Sequence, residues 1–277
     1  MKQNAILTLF ILLGIILFTG CSEKDSTGPD NPQPEAPALA DSLDLEIILP
    51  DSLQQYTSEE VDYDGVSTTG YALAQFISET VVNEYLEVEQ FDARPLFAFE
   101  LVSSDADDNW SPRERGMPDL SWQQFSSGFI LPAESAKAYF PDELIAGTYN
   151  VKFATYFRLY RKIDTVLDGS ITTFETNAFP TTEITYIKND ETLLEPGFPL
   201  TNLISDYVTD DQDNYTYRFI AADGGENDDT GNIFSWQDLQ NGYWLTEKER
   251  AIFLNEDSTL KWKSVKYVEQ IELAEID

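Results

Sequence analysis

Carboxylates are the reactive groups that this sequence offers in quantity. Its 277 residues hold 50 Asp and Glu against 17 Lys and Arg, a formal charge of −33, with no histidine and a single cysteine. A chain without imidazole lacks the most common general acid–base near neutral pH. With one cysteine at most, it also lacks the usual ligand sets of zinc, haem and iron–sulfur centres. Oxygen-ligated cations pass this filter, since calcium is held by about six to eight converging oxygens. Two acidic runs have that character, Asp105-Ala106-Asp107-Asp108-Asn109 and Asp223-Gly224-Gly225-Glu226-Asn227-Asp228-Asp229. They make Asp105, Asp107, Asp223 and Asp228 the candidate calcium ligands. Neither run follows EF-hand spacing, and in so acidic a chain the plainer reading is a pair of solvated loops. No cofactor is expected, and calcium is the one left open.

Other residues carry paired readings. Trp122 and Trp236 are placed to stack on a sugar ring or, more plainly, to anchor a core. Arg113 and Arg115 suit a bidentate clamp on an anion, or neutralise nearby acids. Lys152, Arg158, Arg161 and Lys162 gather cations on one strand, as a docking face or as partners for the acidic loops. No nucleophile–base pair is legible. A carboxylate-pair hydrolase stays open as a class, with too many carboxylates to single out two.

The first 20 residues read as a secretory signal. Lys2 lies in the charged start, Ala5–Phe18 is almost wholly apolar, and Thr19-Gly20-Cys21 closes the run with small residues. This closing cysteine resembles a bacterial lipobox, with Phe18 where leucine is commoner. The resemblance implies that Cys21 is acylated and that a lipid bilayer of the cell envelope is the chain's first partner. Ser22-Glu23-Lys24-Asp25 resembles the acidic tag of surface-exposed lipoproteins, which points to the outer membrane and its outer face. A transmembrane span needs roughly 20 apolar residues, more than this run holds. An ordinary signal peptide with an incidental cysteine is the other reading. Residues 21–42, with Pro29, Pro32, Pro34 and Pro37, read as a disordered tether. The negative field makes nucleic acid a poor partner.

Beyond the tether the chain repeats itself. Ser121-Trp122-Gln123-Gln124-Phe125-Ser126-Ser127-Gly128 aligns with Ser235-Trp236-Gln237-Asp238-Leu239-Gln240-Asn241-Gly242. Leu73, Ile77 and Ser78 precede the first copy as Leu200, Ile204 and Ser205 precede the second. Val151-Lys152-Phe153 trails the first as Val265-Lys266-Tyr267 trails the second. The expected fold is strand-rich α+β, with one domain over 43–164, a linker over 165–180 and a similar domain over 181–277. Leu73, Phe76 and Ile77 predict a short amphipathic helix, as do Leu200, Leu203, Ile204 and Tyr207. Strands are predicted over Leu96–Val102 and along Tyr215, Tyr217, Phe219 and Ala221, each followed by a polar loop, 103–109 or 223–232. Ser121 with Gln124, and Ser235 with Asp238, have the form of capping boxes. Gly128 and Gly242 are expected to close those helical turns in a left-handed conformation. The first copy ends in a strand with Tyr149, Val151, Phe153, Phe157 and Leu159 on one face. In the second, Trp262, Val265, Tyr267, Val268 and Ile271 change phase partway, which predicts a bulge.

The second copy, from Ala222-Asp223-Gly224 through Ser235–Leu239 to Lys263-Ser264-Val265-Lys266-Tyr267-Val268-Glu269-Gln270-Ile271-Glu272-Leu273, resembles the molybdopterin-binding domain of sulfite-oxidase-type oxidoreductases. The first copy resembles it more faintly. That family holds molybdenum through a cysteine thiolate and uses histidine and arginine in its pocket. With neither thiol nor imidazole beyond Cys21, the resemblance implies the fold in degenerate tandem form and not the activity. The expected function is binding or assembly at the envelope, with an envelope protein as a second partner. The alternatives are a calcium-dependent glycan- or protein-binding module and a molybdopterin-dependent oxidoreductase.

Overall fold

Alternation of apolar and polar residues, as along Tyr215–Ala221, and short apolar runs, as at Phe97–Val102, both favour strands. The computed structural model describes residues 44–105, 108–142, 145, 149–204, 212–223 and 232–276. These form a strand-rich α+β fold of three sheets. The stretches read as signal and tether, with Asp107, Tyr207 and Asp228, lie outside the described residues.

The first half runs β1 (Leu45–Ile48), β2 (Ser58–Tyr63), β3 (Val66–Ala72), α1 (Glu79–Tyr85), β4 (Phe97–Asp105), β5 (Asp108–Trp110), α2 (Trp122–Ser126), β6 (Phe129–Leu131), β7 (Lys137–Tyr139) and β8 (Ala154–Leu167). β9 (Ser170–Glu175) folds back on β8. The second half runs β10 (Thr182–Lys188), β11 (Glu191–Pro199), β12 (Tyr215–Ala221), β13 (Ile233–Phe234), α3 (Trp236–Gln240), β14 (Gly242–Leu245), β15 (Arg250–Leu254), β16 (Leu260–Lys266) and β17 (Val268–Glu275).

The pairings of the two halves run in parallel. β3 pairs with β6 and β6 with β7, as β11 pairs with β14 and β14 with β15. β4 pairs with β8 as β12 pairs with β17, and the register slips at Val102/Ser103 in one and at Ile220/Ala221 in the other. Both capping boxes form: Ser121 with Gln124, and Ser235 with Asp238. Phe153 and Tyr267 both adopt positive φ, 54° and 49°. Their N–H groups donate to Ser135 O (2.9 Å) and Glu249 O (2.8 Å), and their carbonyls accept from Ser104 N–H (3.0 Å) and Ala222 N–H (3.0 Å).

One apolar core packs Leu73, Phe99, Phe125, Phe157 and Leu159, and another packs Leu200, Tyr217, Phe219, Leu239 and Ile271. A smaller cluster of Ile184, Tyr186, Leu245, Ile252 and Leu254 belongs to the five-stranded sheet β10-β11-β14-β15-β16. The eight-stranded sheet spans both halves through β8. That strand pairs over Ala154–Arg161 with β4 and, within this stretch, with β1. From Lys162 on it pairs with β9 and, in parallel, with β17.

Several expectations are corrected. The predicted helices at Leu73 and Leu200 are single 3-10 turns, since one turn already buries Leu73 and Ile77, or Leu200, Leu203 and Ile204. The loop over 103–109 is mostly strand, the end of β4 and the start of β5. Gly128 and Gly242 are not left-handed. Their lack of a side chain serves close packing, because an added Cβ would lie 2.7 Å from Leu73 Cδ1 or from Leu200 Cδ1. The predicted strand from Tyr149 begins only at Ala154: Tyr149 and Val151 are buried outside it, and Phe153, at positive φ just before β8, is 41% exposed and does not share the buried face of Phe157 and Leu159. The bulge expected within Trp262–Ile271 is instead a break at Tyr267, where the chain passes from β16 to β17. The stretch read as a linker over 165–180 holds the end of β8, all of β9 and a 3-10 turn.

Candidate functional site

The densest set of buried polar groups lies where β4, β8 and β9 meet the turn after β5. β4 carries Glu100 inward at 3% exposure, an acid in an otherwise apolar run of Phe97, Ala98, Phe99, Leu101 and Val102. A 3-10 turn, Arg113–Arg115, ends at Gly116 with φ 75°, a left-handed position that glycine takes without strain. Leu120 exchanges two backbone hydrogen bonds with Phe99 (2.8 and 3.0 Å), which sets Asp119 against the sheet.

Arg113 joins the set. It forms ion pairs with Asp119 and Glu175, with Nη2 donating to Glu175 Oε2 at 2.9 Å. Its guanidinium lies over the Tyr160 ring at 4.1 Å. Tyr160 OH donates to Glu100 Oε2 at 2.6 Å, Ser111 Oγ donates to Glu100 Oε1, and Arg158 Nη1 stands 3.7 Å from Glu100. Beside them is a cavity of ≈470 Å³ lined by Ala98, Met117, Pro118, Asp119, Ile171 and Thr173 among others. Burial drives the Asp119 carboxyl up to about 7; Arg113 opposes this while Glu100 and Glu175 add to it. Burial, with the Glu100 carboxylate, pushes the Tyr160 hydroxyl far above its ordinary range.

This arrangement holds a proton near neutral pH, but it does not suit a carboxylate-pair hydrolase. In a glycosidase such a pair flanks open space for the scissile bond and a water, about 5 to 9.5 Å across, and in a proteolytic dyad the two carboxyls share one proton directly, with no cation between them. Here both carboxylates contact the same nitrogen of Arg113.

A second network closes the seam between the halves. Arg161, 1% exposed, donates from Nε to Glu249 Oε2 (2.7 Å), from Nη1 to Leu96 O (3.3 Å) and Lys162 O, and from Nη2 to Val268 O (2.9 Å). It sits where β8 changes partner, so its fork meets carbonyls that no single ladder can serve. Burial raises the Glu249 carboxyl, and Arg161 opposes that rise.

The sequence candidates are distributed as follows. Arg113 clamps carboxylates of its own chain, the neutralising alternative; Arg115 is exposed. Trp122 and Trp236 are half-buried against the two cores, 5.4 Å from Phe99 and 5.9 Å from Tyr217 between ring centroids. The four cations do not share one strand: on β8 Lys162 pairs with Asp164, Arg158 with Glu46 and Arg161 with Glu249, whereas Lys152 precedes β8 in an exposed turn. Asp105 ends β4, and Asp223 borders a ≈350 Å³ cavity with Glu87, Phe91, Lys266 and Tyr267. Among the described residues no group of three or more acids is placed to hold a metal. Sequence reasoning missed Glu100, Asp119, Tyr160, Glu175 and Glu249; only Glu100, the lone acid of an apolar strand, left a legible signal. Among the described residues no helix is long and apolar enough to cross a membrane. The chain matches no protein-family model, no curated protein and no solved structure.

Proposed function

We propose that this chain is a lipid-anchored envelope module, built from two tandem copies of one strand-rich fold, that works by assembly with another polypeptide. Acylated Cys21 holds it to the bilayer, and the tether lifts residues 44–276 off the surface. The observation that carries the reading is the way the copies join. β8 completes its own half and then runs on as a parallel neighbour of β17, so one half supplies a strand to the sheet of the next. A fold that links its own copies by strand addition has the means to join other chains in the same way.

The likeness to the molybdopterin-binding domain of sulfite-oxidase-type enzymes is proposed for the fold alone. The donor set does not fit the cofactor, since residues 44–276 contain neither cysteine nor histidine to ligate a molybdenum centre. No redox step is derived from it.

The test is the native state of the protein. Extracted from membranes in mild detergent, the mature chain is expected to migrate as an assembly with at least one further polypeptide, and Cys21→Ala to leave the membrane fraction. Migration as the lone chain under all mild conditions would overturn the assembly reading.

A further inference from the structure

The ≈470 Å³ cavity beside the Arg113 cluster falls in the size range of small-molecule pockets, about 300–1,000 Å³. β9 forms part of its wall: Ile171, Thr173 and Glu175 alternate along the strand and so share one face. The turn from Gly116 to Asp119 forms another part, and the backbone bonds between Leu120 and Phe99 hold that turn to the sheet. The lining combines two chemistries. Ala98, Met117, Pro118 and Ile171 are apolar, and Ile171 is left 64% exposed. Asp119 and Glu175 are acids, with Arg113 bridging them.

The charges of the cluster do not balance. Glu100, Asp119 and Glu175 are three carboxylates, and the cations that meet them are two, Arg113 and Arg158. Arg158 is shared further, since it also faces Glu46 at 3.5 Å. Asp119 bears the deficit. Its side chain is 7% exposed, its Oδ2 contacts Arg113, and among the described residues its Oδ1 has no hydrogen-bond partner. Burial raises that carboxyl to about 7, as befits an acid short of one positive charge.

The imbalance selects the ligand. An anion would meet the excess carboxylate, and Arg113 already spends its donors on its own chain. A divalent ion of the calcium type needs about six to eight converging oxygens, and no group of acids among the described residues is placed to supply them. A primary ammonium asks for less, because its three donors sit on one atom at the end of an apolar stem. We propose that this cavity binds a small organic amine, whose ammonium pairs with Asp119 beside Glu175 and whose apolar body covers Ile171 and Met117.

The test is calorimetric titration of phenethylamine into the full chain, with phenethyl alcohol as the uncharged probe of the same shape. Titrations at about 0.15 M and about 0.5 M salt separate a sheltered ion pair from attraction to the acidic surface, which salt screens. One saturable site is expected, weakened less than about threefold by the added salt. The alcohol should bind at least about tenfold more weakly, since it leaves the carboxylate without a charged donor. Asp119→Asn keeps the shape, removes the charge and should weaken the amine at least about tenfold. Ile171→Ser, at an exposed position that the fold tolerates, should weaken it about threefold through lost apolar contact. Absence of saturable amine binding, equal binding of the alcohol, or amine binding that both substitutions leave unchanged would each overturn the site.

Discussion

Replacing Arg161 with methionine should destabilise the whole fold, and the structure sets the size of the effect. The guanidinium is 1% exposed and serves one carboxylate and three carbonyls where β8 leaves β4 for β17. Methionine keeps much of the volume and removes every donor. Stranding the partner of a buried ion pair costs about 3–5 kcal/mol. Each carbonyl left dry would add about 1–3 kcal/mol, but entering water and protonation of Glu249 relieve part of that. A net loss of about 4 kcal/mol is expected, a large share of the roughly 5–15 kcal/mol that holds a typical domain. At about 2–4 °C per kcal/mol for a chain of this size, the thermal midpoint should fall by about 8–16 °C. Urea titration followed by tryptophan fluorescence gives the free energy directly. Arg161→Lys should recover less than half of the loss, because an ammonium restores the charge without the planar fork. Adding Glu249→Gln to the methionine variant should return about 1–2 kcal/mol by removing the stranded charge. A loss under about 1.5 kcal/mol for Arg161→Met would refute the view that this residue ties the halves together.

Asp119 predicts a pH dependence. Its carboxyl titrates near 7 in the fold and near 3.9 unfolded, so between those values the unfolded chain binds fewer protons and stability falls as pH rises. Relative to Asp119→Asn, the natural chain should lose about 2–3 kcal/mol between pH 5 and 8 in urea titrations, and parallel curves would contradict the assignment. Gly128→Ala and Gly242→Ala should each cost about 1–3 kcal/mol, since the new methyl would press on Leu73 and Phe140 or on Leu200. Unchanged melting of both variants would show that these sites relax freely.

Local chemistry was legible in the sequence, and long-range pairing was not. The Ser121/Gln124 and Ser235/Asp238 boxes are written in four residues each, so spacing alone reveals them. The strand at Tyr215–Ala221 follows from its alternation. Phe153 shows the limit. An aromatic in an alternating run reads as a buried strand position, yet here the backbone turns left-handed so that its N–H reaches Ser135. That choice depends on a residue elsewhere in the chain and leaves no local mark. The Arg113 cluster is similar, because Glu175 lies 62 residues from the arginine it meets. No pattern in either segment anticipates the pairing.

Where the few cations sit gives the acidic composition its structural meaning. Of 17 basic residues, Arg161 and Lys162 are buried side by side at the point where β8 changes partner, and Arg113 holds two carboxylates together nearby. A chain at −33 resists compaction by self-repulsion. Placing scarce positive charge at the seam, where strands from both halves bring carbonyls and Glu249 together, offsets that repulsion where the sheet is least able to satisfy itself.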